Sequence, residues 1–152
     1  MQDSNVVTKN RLLSGLGTAE LARLRPNLKR IRLARGEVLH APRAPITHIY
    51  FPEVGMVSML AVMTTGEQIE TAIIGNEGIV GGWVAFDGSD SNTQSTVQIA
   101  GSALQMPTAK FRECYNASDA FRKAINKYEG VIRFQAQQSA ACHAIHTVES
   151  RF

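Results

Sequence analysis

Gly36-Glu37-Val38-Leu39, then Ile49-Tyr50-Phe51, then Gly55, then Gly75-Asn76-Glu77-Gly78-Ile79-Val80-Gly81-Gly82: this succession decides how the chain folds. Short apolar runs separated by glycine and proline turns are the signature of a small antiparallel β structure. From about Leu28 to Met106 the pattern has period two. Candidate strands are Lys29–Leu33, Val38–His40, His48–Phe51, Met56–Met63, Gln68–Ile74, Gly78–Val80, Thr93–Ile99 and Ala103–Met106. Thr64-Thr65-Gly66-Glu67 joins two of them as a tight hairpin, with Gly66 supplying a positive φ. So many short strands argue for a closed barrel or jelly roll.

Helical signals flank this core. Asn10 or Ser14 can cap short turns, and Thr18 is an N-cap candidate before Ala19–Leu24. Pro26 ends that helix, because its ring excludes a further turn. After the last strand, Pro107 cannot extend a ladder and Thr108 can cap Ala109–Tyr115. Asn116-Ala117-Ser118 breaks that helix, and Ser118 or Asp119 starts a long one with no stop signal before Phe152. The expected organisation is one structural domain in three parts: a helical segment at 1–28, a β-barrel sensor core at 29–107 and C-terminal helices at 108–152.

Bulk composition excludes several classes. The chain has 152 residues, 44% apolar and 19% charged, as in an ordinary soluble domain. No run approaches the ~20 apolar residues of a membrane span, and the N-terminus lacks the blocks of a signal peptide. A cytoplasmic location without membrane association is expected. Two cysteines, Cys114 and Cys142, cannot build a disulfide framework or ligate a four-cysteine cluster. The net charge of +3 is uneven: residues 1–52 hold nine Lys/Arg against three Asp/Glu, and residues 53–117 hold two against seven. The basic run Lys29, Arg30, Arg32, Arg35 alternates with Ile31 and Leu33, so it reads as the solvated face of a strand. It also lacks the aromatics that stack on bases.

The order and spacing of the opening motifs resemble the cyclic-nucleotide-binding domain of Crp–Fnr transcription regulators. The likeness runs from about residue 10, and Ser139–Phe152 closely resembles the end of the long helix in one regulator branch. It implies a mainly β fold with flanking helices: a double-stranded β-helix (jelly-roll) barrel, short N-terminal helices and a long C-terminal dimerisation helix. In that family the helix leads to a helix-turn-helix module. This chain is expected to stop before that module, so DNA would be reached only through the part it lacks.

The long helix itself carries a stripe at spacings of three and four: Phe134, Gln138, Ala141, Ile145, Val148 and Phe152. At ~1.5 Å per residue it spans on the order of 50 Å, too long for a small barrel to cover. A second copy of the chain is the expected cover, giving a two-fold homodimer.

The resemblance also marks a site. Family members that bind cyclic AMP hold its phosphate with backbone N–H groups and an arginine, and its ribose with a glutamate. Here Gly81 matches the family glycine, but Gly82 stands at the glutamate position and Trp83 at the leucine position. Thr93, with Gln94 and Ser95, falls at the arginine position. Asp87 and Asp90 add negative charge between them, and no arginine lies anywhere between Arg43 and Arg112. Losing charge-assisted contacts to phosphate costs at least about tenfold in affinity. The sequence therefore argues against cyclic AMP. Two readings stay open. The pocket takes a less anionic small-molecule effector, read by Gly81, Gly82, Trp83, Thr93, Gln94 and Ser95, or side chains fill it and the domain is a structural dimerisation module.

Other chemistry is weakly signalled. His40 and His48 form no His-x-His pair, so no barrel metal or other cofactor is expected. Cys142 and His146, at i and i+4 with His143 beside them, could serve a metal or redox sensor at the dimer seam; ordinary packing is the competing explanation. Phosphate-loop, dinucleotide and nucleophile-elbow motifs are missing, and no catalytic role is expected.

Overall fold

The computed structural model of the chain describes residues 8–85 and 93–149, except the side chains of 85, 139, 140 and 142–149. Helices α1 (Arg11–Ser14) and α2 (Thr18–Leu24) precede strands β1 (Lys29–Leu33), β2 (Val38–His40), β3 (His48–Val62), β4 (Gln68–Ile74) and β5 (Thr93–Pro107). Helices α3 (Thr108–Ala117) and α4 (Asp119–Glu149) follow. The mainly β fold with flanking helices and a long C-terminal helix is as the sequence implies.

All strand pairings are antiparallel. The hydrogen-bonded path runs β1-β5-β3-β4, with β2 also paired to β5. Among the described residues this path is open, so the expected closed ring is not formed. Two further corrections concern strands. His48–Phe51 and Met56–Met63 are parts of a single strand, as are Thr93–Ile99 and Ala103–Met106. The reason is a shared bend. Gly55 has φ 96°, and a Cβ on it would lie 2.4 Å from the Ile99 carbonyl oxygen; one on Gly101 would lie 2.0 Å from that of Val54. Glycines let the two backbones pass close together while the register shifts, so the ladder bends instead of breaking. Gly78–Val80 is no strand: only Val80 makes a bridge, to Tyr50.

Capping follows the expected chemistry at two helices. Asn10 Oδ1 accepts from Leu13 N at 3.0 Å, and Ser118 Oγ accepts from Phe121 N at 3.1 Å. It departs at the other two. Gly17 precedes α2 without a side-chain cap, and Thr108 Oγ1 instead donates 2.7 Å to the Ile46 carbonyl, tying α3 to the loop before β3. Pro26 sits in a 3-10 turn, Arg25–Asn27, that ends α2.

Phe51, Phe111 and Phe121 are fully buried and meet ring to ring, 5.7 Å between the centroids of Phe111 and Phe121 and 6.4 Å between Phe51 and Phe121. This cluster seats α3 and α4 on the sheet. Phe121, Ile125, Tyr128 and Ile132 form the buried face of α4, at the spacing of one helix stripe. The basic run on β1 keeps Lys29, Arg30 and Arg32 exposed around half-buried Ile31, as expected of a solvated strand face.

Candidate effector site

The segment Gly75–Ala85 leaves β4, makes the Val80 bridge and closes in a 3-10 turn at Gly82–Ala85. Gly81 takes φ 98°, a conformation that favours glycine. Both Gly81 and Gly82 are buried, each against a different neighbour. A Cβ on Gly81 would stand 2.7 Å from Cε1 of His40, and one on Gly82 would stand 2.5 Å from Oε2 of Glu129. The paired glycines therefore form a thin strip of backbone between β2 and α4.

His40 connects this strip to the other half of the expected site. Its Nε2 lies 2.7 Å from the His48 carbonyl and its Nδ1 lies 3.3 Å from Ser95 Oγ. A carbonyl can only accept, so Nε2 carries the proton and Nδ1 accepts from the serine. Burial holds the imidazole below the usual histidine range, against the His48 hydrogen bond, which favours the charged form. Trp83 meets His40 edge-on, with centroids 5.8 Å apart, and packs partly on the core. Its Nε1 is shielded from solvent and finds no acceptor among the described residues. A buried donor without a partner is uncommon in folded proteins.

Of the six residues expected at the site, Gly81, Gly82 and Trp83 are contiguous, and Ser95 reaches them through His40. Thr93 and Gln94 start β5 beside Ala61 and Leu60, with Gln94 Nε2 donating 2.9 Å to Thr96 Oγ1. Asp87 and Asp90 lie outside the described residues. Sequence reasoning missed His40, Tyr128 and Glu129 as neighbours of the glycines. His40 had a weak signal as one of few histidines; Glu129 had none, because nothing along a helix says which residue meets a turn fifty positions earlier.

Glu129 is 5% exposed, and no hydrogen-bond donor meets it among the described residues. Burial pushes its carboxyl up to about 7, with the Arg133 charge pulling the other way. A carboxyl on one side and an orphan indole N–H on the other can take a ligand that offers hydrogen-bond donors and an acceptor. When ionised, the carboxyl repels a phosphate.

Among the described residues, no His/Cys/Asp/Glu group could hold a metal ion. His40 and His48 do not form a pair: the His48 ring bonds Thr47 Oγ1 at 3.0 Å. The side chains of Cys142, His143 and His146 lie outside the described set. On α4, Val131 and Phe134 are 48% and 57% exposed, and Gln138 and Ala141 are also exposed. The side chains of Ile145 and Val148, and all of Phe152, lie outside the described residues.

The family model of the cyclic nucleotide-binding domain matches residues 30–118. Among solved structures, the c-di-GMP responsive global regulator CLP of Xanthomonas campestris aligns with a TM-score of 0.70 at 16% identity, over 82% of this chain and 63% of its own. The N-terminal domain of a transcriptional regulator from Streptomyces coelicolor aligns at 0.57 and 19% identity, over 99% and 95%. The regulatory subunit of a cAMP-independent protein kinase A from Trypanosoma cruzi, bound to guanosine, aligns at 0.64 and 14% identity, over 84% and 47%. The chain thus spans less than two thirds of the first and last of these. No curated protein matches it by sequence.

Proposed function

The chain belongs to the cyclic nucleotide-binding domain family, with that family's jelly-roll fold, and from this we propose that it is the effector-sensing, homodimerising unit of a Crp–Fnr-like transcription regulator of bacterial type. It acts without catalysis, in the cytoplasm, and meets DNA only through a segment outside this sequence. Among the described residues no helix is long and apolar enough to cross a membrane. Two solved neighbours are a global regulator and the N-terminal domain, of similar extent, of a transcriptional regulator.

The observation that carries the sensing half is the buried indole N–H of Trp83 beside the glycine strip, which meets no acceptor among the described residues. The effector is a small, uncharged molecule that supplies an acceptor there. Cyclic AMP is not that effector: the described part of the segment holds no cation, and a carboxyl backs Gly82. The dimerising half rests on Phe134, exposed on the face of α4 opposite Phe121, Ile125 and Ile132, and on exposed Val131 at the flank of that face.

The closeness of Glu129 to Gly82 favours a second reading, in which the site is filled and the domain is a structural dimerisation module. Titration with guanosine and with cyclic AMP separates the two, because Trp83 is the sole tryptophan and reports directly on the segment. A saturable emission change with guanosine and none with cyclic AMP supports an uncharged effector. Tight cyclic AMP binding overturns the reading. A native mass spectrum of the same sample must show the dimer; a monomer at micromolar concentration removes the dimerising half.

A further inference from the structure

The contact between Glu129 and Gly82 joins the two parts of the molecule that a sensor must couple: the turn facing the site and the long helix. The carboxyl reaches Gly82 because that position lacks a side chain. An added Cβ would meet Oε2 at 2.5 Å, Cδ at 3.1 Å and Ile79 Cγ2 at 3.3 Å. No donor compensates the carboxyl there among the described residues. A neutral carboxyl tolerates such a place, whereas an unpaired carboxylate is expelled toward water.

We propose that Glu129 is a proton-operated latch that holds α4 against the Gly81–Gly82 strip while neutral and releases it when ionised. The inference rests on the proposed function only in treating α4 as the output; the latch itself is a property of this chain.

Among the described residues, the other charges around the latch leave this logic intact. On α4, Arg133 is one turn away and favours ionisation, while burial opposes it more strongly. Tyr128, the preceding residue, is engaged with Glu77 of the Gly75–Gly78 turn. His40 of β2 lies on the far side of Gly81. The one charged residue of β4, Glu70, accepts from Ser58 Oγ at 2.9 Å. On α3, Lys110 and Glu113 pair with each other at 3.8 Å, and Arg112 is exposed. The 3-10 turn Gly82–Ala85 carries no charge. The buried carboxyl titrates at about 7 instead of 4.5. The seated state is therefore fully favoured below pH 4.5 and weakens as pH rises to about 7, by up to about 300-fold in its ratio to the released state.

The test is a pH titration of Trp83 emission from 5 to 8.5 on the intact chain, wild type against Glu129→Gln. Glutamine matches the neutral acid in shape and cannot ionise. A transition near pH 7 in wild type, missing from Glu129→Gln, is expected. A separate change below 6.5, from His40 against the indole, should persist in both. Absence of the transition near 7 from wild type, or its persistence in the variant, overturns the latch. Gly82→Ala gives an independent check, because its methyl group displaces the flexible carboxyl: at pH 5.5 it should emit like wild type at pH 8.5. Emission at pH 5.5 matching wild type at pH 5.5 would also overturn the proposal. Neither result depends on guanosine binding or on dimerisation, so failure of the latch and failure of the proposed function are separable.

Discussion

The phenol of Tyr128 donates to Oε2 of Glu77 across 3.0 Å, and its ring covers Gly78 so closely that a Cβ there would stand 1.9 Å from Cζ. Burial, and after it the Glu77 charge, holds the phenol protonated well above the usual tyrosine range. Glycine at 78 thus lets α4 approach the Gly75–Ala85 segment, one residue before the carboxyl of Glu129 meets Gly82.

Gly78→Ala must push the Tyr128 ring aside. The ring is rigid and 9% exposed, so relief comes from moving α4. A loss of about 1–3 kcal/mol is expected in urea unfolding, with faster amide exchange in α4. A variant as stable as wild type would show that the helix is loosely seated.

Glu53 binds the N-terminal segment to the sheet. Its carboxylate accepts from Arg30 Nε at 2.7 Å, Thr8 Oγ1 at 2.8 Å and Lys9 N at 3.1 Å. Burial alone would raise its pKa, but Arg30, Thr8 and Lys9 together bring it below the usual carboxylate range. A depressed carboxylate stabilises above its ordinary value near 4.5, and the benefit fades as pH falls below that. Glu53→Gln should cost about 1–3 kcal/mol at pH 7, and the gap to wild type should narrow under acid in parallel denaturation curves.

His40 should stay neutral down to acidic pH as the Nε2–H tautomer, because burial disfavours its cation. The sign is that of a buried neutral base: stability is lost as pH falls below 6.5. Nitrogen chemical shifts of the imidazole across pH 5–8 read both points. Titration at or above 6.5 would contradict the buried assignment.

Phe134→Glu places a charge on the most exposed large apolar side chain among the described residues of α4. A weakening of the dimer by at least about tenfold is expected in sedimentation equilibrium, with the melting temperature of the domain little changed. Unaltered self-association would move the seam off this stripe.

Much of the fold was legible because its signals are local. Alternation marks β1, β2 and β4 to the residue, and Ser118 and Asn10 cap the helices where hydroxyl and amide side chains can reach a free N–H. The misreadings have local causes too. Gly55 and Gly101 look like strand breakers in one dimension, yet paired in space they are the crossing point of two long strands. Gly78 is expected to open a strand and Gly82 to line the effector site, whereas each makes room for a side chain of α4.

The sequence by itself determined the strand-rich core, the long helix, the position of the glycine segment and its lack of arginine, since each depends on residue type and spacing. Tertiary structure alone decided what surrounds that segment. A carboxyl at position 129 meets Gly82, and an imidazole at position 40 bridges Gly81 to Ser95, because sheet register and helix docking fix contacts between residues whose separation along the chain carries no periodic signal. The same docking raises the Glu129 carboxyl to about 7, since burial belongs to the fold and not to the residue.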